Sequence, residues 1–262
     1  MFQLSKLSCA KTHREFFNKH KGQKCILLGG GHSIKYMDIK RFSGAKIIGV
    51  NLLPFHVDFV NLQIPYNIII QPRIFVPWFL QKQIDKDFST VAKLFKKISS
   101  ESSTIHFVRQ TSKFFNLKQI NWRPIPSYVW DPDHQIRSSG SFGGAFYAGL
   151  SLARLMGFQE VTLVGFDAFT HTSFSNLRWY EYGSDRTHNI NDEKGKIFLR
   201  YLAESGMKLS TIGFNTAASV EEMEYLDYRE LYGTLDYKEN HEILRHDAYE
   251  ALKSYKHLKI NV

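Results

Sequence analysis

The sequence predicts an α/β fold: a Rossmann-like parallel sheet flanked by helices, with a lid segment. Three observations carry that expectation. A short apolar run, KCILL at 24–28, feeds three glycines. A second β-branched run, AKIIGVN at 45–51, follows about a dozen residues later. Near the middle of the chain a small-residue helix leads into VTLVGFD at 161–167. Strand, crossover and strand at such spacing is how a parallel sheet begins.

Taken in order, residues 24–28 read as a buried strand and Gly29-Gly30-Gly31 as its turn. Residues 34–42 fit a short helix or turn before the strand at 45–51. NIII (67–70) and TIHFV (104–108) read as strands. Val91, Leu94, Phe95 and Ile98 fall at helical spacing within 85–98. Residues 111–136, which carry Pro124, Pro126 and Pro132, read as an irregular connection. A helix is expected from Ala145 to Met156, stopped by Gly157. The polar and aromatic stretch 168–191 keeps no period and reads as a lid. A helix over 192–206 and a strand over 207–214 follow, and the tail from about 219 reads as helical. The whole chain is expected to form one nucleotide-binding domain, residues 1–262.

Composition narrows the function classes. At 262 residues with 43% apolar side chains, the chain can bury roughly 70–75% of its unfolded surface and needs no staples to fold. Two cysteines, Cys9 and Cys25, exclude a disulfide framework and a four-cysteine zinc site. No apolar run suits a signal peptide or a transmembrane helix. A cytoplasmic protein, at most peripheral at an inner membrane, is expected. The net charge of +9 suits anionic partners such as nucleotides, anionic lipid or acidic glycans. No basic-aromatic RNA motif is visible, so nucleic acid is not an expected partner.

Ligands of open α/β sheets bind at the carboxyl ends of strands. Gly29, Gly30 and Gly31 stand at such an end, where glycine lets backbone approach a phosphate. A tight turn without a ligand is the plainer alternative. Ser33 is positioned to cap the following helix and to donate a hydroxyl, and His32 lies within reach of a phosphate. The dinucleotide fingerprint is incomplete, with Ile34 at its third glycine position and Asn51 where an acid is expected. No P-loop motif occurs.

The pieces ILLGGGHSI, GVN at 49–51, SSGSFGGAFYAGLSLARLMGFQEVTLVGFD, and a His-bearing loop before a helix stand in a fixed order. This arrangement resembles the bacterial lipo-oligosaccharide sialyltransferases and their wider kin, the MptE-like diphosphokinases and the motility accessory factors. The resemblance implies a CMP-sugar donor bound over Gly29, Gly30, Gly31, Ser33, Asn51, the Ser138-Ser139-Gly140 turn and the strand end at Asp167. It implies a general base at His188, four residues before Asp192, and leaving-phosphate contacts from the lid tyrosines Tyr180 and Tyr182. His171 is the rival base, and His32, in the glycine turn itself, is a third. The sequence departs from the family's opening motif in two places: His32 replaces a proline and Gly30 an asparagine.

Histidine is matched to neutral-pH base chemistry, and phenol hydroxyls and backbone N–H groups can neutralise a leaving phosphate. The resemblance thus implies a glycosyltransferase moving an acidic sugar, sialic acid- or Kdo-like, to a surface glycan or glycolipid. No cofactor and no metal are expected, although Asp131-Pro132-Asp133 has the spacing of a divalent-ion pair. The alternatives are an MptE-like diphosphokinase using ATP and Mg²⁺, and a nucleotide-binding module without catalysis. Membrane contact is expected to be peripheral, helped by the lysines of LKSYKHLK at the end of the chain, and a homo-oligomer stays open.

Overall fold

The computed structural model describes residues 13–70, 86–108, 121–125, 128–130, 136–138, 144–167, 178–180, 200, 202–204, 206–214 and 223–253. Ten strands fall in chain order: β1 Lys24–Leu28, β2 Lys46–Val50, β3 Tyr66–Ile69, β4 Ile105–Val108, β5 Trp122–Pro124, β6 Tyr128–Trp130, β7 Ile136–Ser138, β8 Glu160–Val164, β9 Lys208–Gly213 and β10 Glu224–Asp227. Eight of them form one sheet in the order β10-β9-β8-β1-β2-β3-β4-β5, and every pair in it is parallel. From β1 the chain winds outward through β2 to β5. From β8 it winds the opposite way through β9 and β10. The order therefore reverses between β1 and β8, as a doubly wound sheet requires.

Both faces of the sheet are covered, which is why its strands read as near-continuous apolar runs. On β1, Leu28 and Ile26 point to one core, and Cys25 and Leu27 to the other. The first core is roofed by two short 3-10 helices, His32–Tyr36 and Ile39–Phe42, by helix α1, Lys86–Ser100, and by the C-terminal segments. The second is filled by α2, Ala145–Leu155, by Phe16 and by Leu202. The α2 sequence AFYAGLSLARL is apolar almost all round, and nearly all of it is buried. Gly157 stops it with φ +80, its N–H donating to the Arg154 carbonyl.

Two expectations need correction. The connection expected over 111–136 contains the strands β5 and β6 and leads into β7. Pro124 ends β5 at the edge of the sheet, where a missing N–H costs no ladder bond. The antiparallel hairpin β6–β7 lies against α2. The tail also is not helical throughout. It first adds β10 beside β9, and only then forms the short helices α3 Tyr228–Tyr232, α4 Asn240–Ile243 and α5 His246–Leu252. A four-residue strand is too short for its period to be told from a helix. Among the described residues no helix is long and apolar enough to cross a membrane.

Candidate functional site

The glycine turn and the end of β8 meet where the strand order reverses. The Gly29 N–H donates to the Val164 carbonyl and the Gly31 N–H to the Gly165 carbonyl, both at 2.7 Å. The β1–β8 ladder thus runs on into the turn. This approach requires glycine on both sides. A Cβ on Gly29 would overlap the Gly165 carbonyl, and Gly165 itself takes φ +69 with Ile34 packed against it.

Asp167 lies just beyond, 4% exposed. Its Oδ2 accepts the Ser33 N–H at 2.7 Å, and its Oδ1 accepts the Ser33 hydroxyl. The His32 N–H also donates to it. These donors open the 3-10 helix His32–Tyr36, so the carboxylate caps that helix from a distant segment; β8 ends at Val164, and Asp167 lies three residues beyond it and not at the strand end expected. Ser33 is therefore not the helix cap: the position before the helix is Gly31, which makes no side-chain bond. Burial pushes the Asp167 carboxyl up to about 6 despite the hydrogen bonds that favour its charged form.

Gly30 differs from its neighbours. Among the described residues nothing lies within 4 Å of where its Cβ would stand. Among the described residues its N–H finds no acceptor. Its carbonyl accepts the Trp179 N–H at 3.1 Å, and Gly31 forms an antiparallel bridge with Arg178. Residues 178–180, within the expected lid, are thus fastened across the turn. Arg178 donates to the Tyr180 hydroxyl at 3.0 Å. Tyr180 is 2% exposed and meets Trp179 edge to face at 5.2 Å between centroids.

Asn51 directly follows β2 in the left-handed region, φ 53, a conformation Asn tolerates better than most residues. Its Oδ1 accepts the Ile70 N–H and its carbonyl accepts the Asn67 amide, which ties the ends of β2 and β3 together. Among the described residues its own Nδ2 has no partner. A ligand along the carboxyl edge would therefore meet an open backbone N–H at Gly30 and a side-chain amide at Asn51.

In structure the chain is similar to the sialyltransferase CstII. A point variant of that enzyme in complex with CMP is 16% identical with a TM-score of 0.45, over 91% of this chain and 100% of that one. The Campylobacter jejuni enzyme in complex with cytidine-5'-monophosphate is 12% identical with a TM-score of 0.41, over 89% and 98%. The enzyme with a trisaccharide acceptor and CMP is 14% identical with a TM-score of 0.44, over 88% and 99%. No family model matches the sequence, and no curated protein matches it significantly.

Of the expected site residues, the structure gathers Gly29, Gly30, Gly31, Ser33, Asp167 and Tyr180 into one neighbourhood. Asn51 stands on the same edge, two strands from β8. Ser138 ends β7 opposite Tyr128 in the hairpin. His188, Tyr182, Ser139, Gly140, His171, Asp131, Asp133 and the helix start at Asp192 lie outside the described residues. Among the described residues no group of three or more His, Cys, Asp or Glu could hold a metal ion.

Sequence reasoning missed two features here. Lys35 is wholly buried beneath Tyr237, its Nζ 3.4 Å from the phenol oxygen and 5.4 Å from the ring centroid. Burial holds its pKa below the ordinary lysine value, with Glu239 opposing. Asn240 donates to the Tyr180 carbonyl, so the C-terminal segment is tied to residues 178–180. Both contacts join residues far apart in the chain and leave no local signal. His56, which rests beside Trp179 at 5.3 Å, is pushed down to about 3 by burial and stays neutral.

Proposed function

We propose that the protein is a glycosyltransferase that moves an acidic sugar, sialic acid- or Kdo-like, from a CMP-sugar donor to a surface glycan acceptor. The observation that carries this reading is Gly30, an open backbone N–H with empty space beside it where the strand order reverses. That is where an α/β sheet binds a nucleotide phosphate. The ordered sequence signatures from Ile26 to Asp167 supply the choice of donor.

In this reading His188 takes the proton of the acceptor hydroxyl as its oxygen attacks the anomeric carbon, and CMP departs. Tyr180 and Tyr182 donate to the leaving phosphate, and Arg178 adds a positive charge beside the turn. The Asn51 Nδ2 and the Ser138-Ser139-Gly140 turn hold the nucleotide. Gly29, Gly31, Ser33 and Asp167 shape the turn. A monophosphate leaving group departs without a bridging metal, so catalysis is metal-independent. The reaction would take place in the cytoplasm. The diphosphokinase alternative needs carboxylates aimed at Mg²⁺, whereas both oxygens of Asp167 already accept from Ser33.

The test begins with thermal shifts for CMP, CDP, UDP, NAD, and ATP with Mg²⁺. A ligand at 100 times its Kd stabilises by about 2.7 kcal/mol. CMP should stabilise most. His188→Ala should then slow sugar transfer by about 10²–10⁴-fold with CMP binding kept, while His171→Ala does much less. Stabilisation by ATP with Mg²⁺ alone, or activity abolished by EDTA and restored by Mg²⁺, would reject the reading.

A further inference from the structure

The edge of the sheet opposite the glycine turn is basic. Every strand of the sheet is parallel, so all strand starts lie on one rim. Across the adjacent strands β2, β1, β8 and β9 the register places Lys46 next to Cys25, Lys24 opposite Glu160, and Glu160 opposite Lys208. Four strands at about 4.8 Å spacing make a row about 14 Å wide. The turn Asn18–Gly22 hydrogen-bonds to the end of α2 through Leu155, Met156 and Gly157, and it adds Lys19 and Lys21 to the same rim. Lys19 and Lys46 both lie close enough to the buried His20 ring for their charges to act on it. Lys19, Lys21, Lys24, Lys46 and Lys208 are all exposed. Among the described residues the acids here are Glu160, paired with Lys24 at 2.6 Å, Glu204 at the helix end before β9, and Glu224 at the start of β10. Phe17, 47% exposed, stands one turn before Lys21.

We propose that this rim docks the protein on an anionic lipid bilayer. A row of lysines on short, rigid strand starts presents positive charge to a plane, and each lysine held near an anionic surface strengthens binding about fivefold. An aromatic side chain among them suits the headgroup region, where aromatics settle at membrane–water boundaries. The rim lies one strand length from the glycine turn, about 16 Å for five residues. The turn, and the acceptor reaching it, would then face away from the bilayer plane. The inference does not depend on the identity of the reaction.

The test is co-sedimentation of the full chain with vesicles of phosphatidylcholine alone and with 30% phosphatidylglycerol. Binding should need the anionic lipid and weaken as salt rises from about 50 to 300 mM. Lys19→Ala with Lys21→Ala should lower the partition coefficient by more than about tenfold. Lys93→Ala with Lys96→Ala, on α1 over the other core, should change it less than about twofold. Phe17→Ser should lower it while leaving the salt dependence in place. Equal losses from the two lysine pairs, no binding to anionic vesicles, or binding that depends only on residues 254–262 would overturn the proposal. So would salt-sensitive binding to duplex DNA in the absence of vesicle binding. Circular dichroism of each variant separates these outcomes from misfolding.

Discussion

The carboxylate of Asp167 fills the space that a side chain on Gly31 would need: a Cβ there would lie 2.5 Å from Oδ2. The two residues are 136 positions apart, and they meet because β1 and β8 are neighbours in the sheet. The glycine turn is therefore built from two kinds of glycine. Gly29 and Gly31 admit β8 and its carboxylate, and Gly30 faces open space.

That division predicts opposite phenotypes. Gly31→Ala should destabilise the fold by about 1–3 kcal/mol, because Asp167 must shift and its bonds to Ser33 must stretch. Gly30→Val should fold nearly normally, since Gly30 does not occupy the left-handed region and its Cβ meets nothing among the described residues. It should nevertheless lose nucleotide binding, as the added side chain takes the ligand's space. Urea denaturation and CMP thermal shifts on both variants check this. A Gly30→Val protein that is folded and binds CMP normally would remove the turn from the site.

Asp167 also gives a pH signature. Its folded pKa of about 6 exceeds the ordinary value of 3.8, because burial outweighs the Ser33 and His32 hydrogen bonds. The folded state therefore binds this proton more tightly than the unfolded chain. Its contribution to stability is present below about pH 4 and is lost as pH rises through 6, by up to about 3 kcal/mol. In Asp167→Asn that loss should vanish, with the amide oxygen accepting from the Ser33 N–H. Urea denaturation from pH 4 to 7 should show the two stability curves diverging. Parallel curves would mean Asp167 titrates normally.

Much of this arrangement could be read from the chain. The apolar runs at β1, β2 and β8 and the glycines that follow them are local signals; β1 and β2 lie within a residue of where they are expected, while β8 ends three residues before Asp167, where Gly165 turns the chain. The apolar face of α1 and the stop at Gly157 were equally legible. What stayed hidden is non-local. Nothing near Ser33 announces that its hydroxyl bonds the carboxylate of Asp167, just beyond the end of β8. Lys35 looks like an exposed cation until Tyr237 is folded over it. β10 and β5 are edge strands of three or four residues, too short to have a period. His188 and Tyr182 rest on the sequence resemblance alone.

The C-terminal helix α5 is held to α1 by charge. Asp247 accepts from Lys97 at 2.9 Å and from Arg245, which also pairs with Glu101 at 2.9 Å. Burial alone would raise the Asp247 pKa, but the Arg245 and Lys97 hydrogen bonds bring it down to about 2. A lowered carboxylate pKa contributes stability above about pH 4 that fades as pH falls toward 2. The side chain is 30% exposed, so screening limits the contribution to about 1 kcal/mol. Asp247→Asn should cost about that much at pH 7 and progressively less as pH falls through 2. Hydrogen exchange in α5 should quicken in the variant. An unchanged rate there would show that the apolar contacts of Ala248 and Leu252 hold the helix alone.

Asn51 has two jobs that substitution can separate. Its Oδ1 accepts the Ile70 N–H at 3.1 Å, and its backbone holds φ 53. Among the described residues the Nδ2 has no partner, and the proposed reading makes it a donor to the nucleotide. Asn51→Asp keeps the acceptor and a residue type that tolerates the left-handed region, so stability should fall by less than about 0.5 kcal/mol. It replaces the donor by a negative charge, so CMP affinity should drop by more than about tenfold, more than the loss of one hydrogen bond alone explains. Asn51→Ala removes the bond to Ile70 and strains the backbone, costing about 1–3 kcal/mol along with affinity. The pair is read by urea denaturation and by CMP titration. If Asn51→Asp binds CMP as the native protein does, the Asn51 amide faces no ligand, and the residue serves only to join β2 to β3. If Asn51→Asp loses stability as heavily as Asn51→Ala, the bond to Ile70 depends on the amide as a whole, and its weaker binding says nothing of the donor. The reading of Asn51 as a nucleotide contact requires the first variant to be stable and the affinity to be lost.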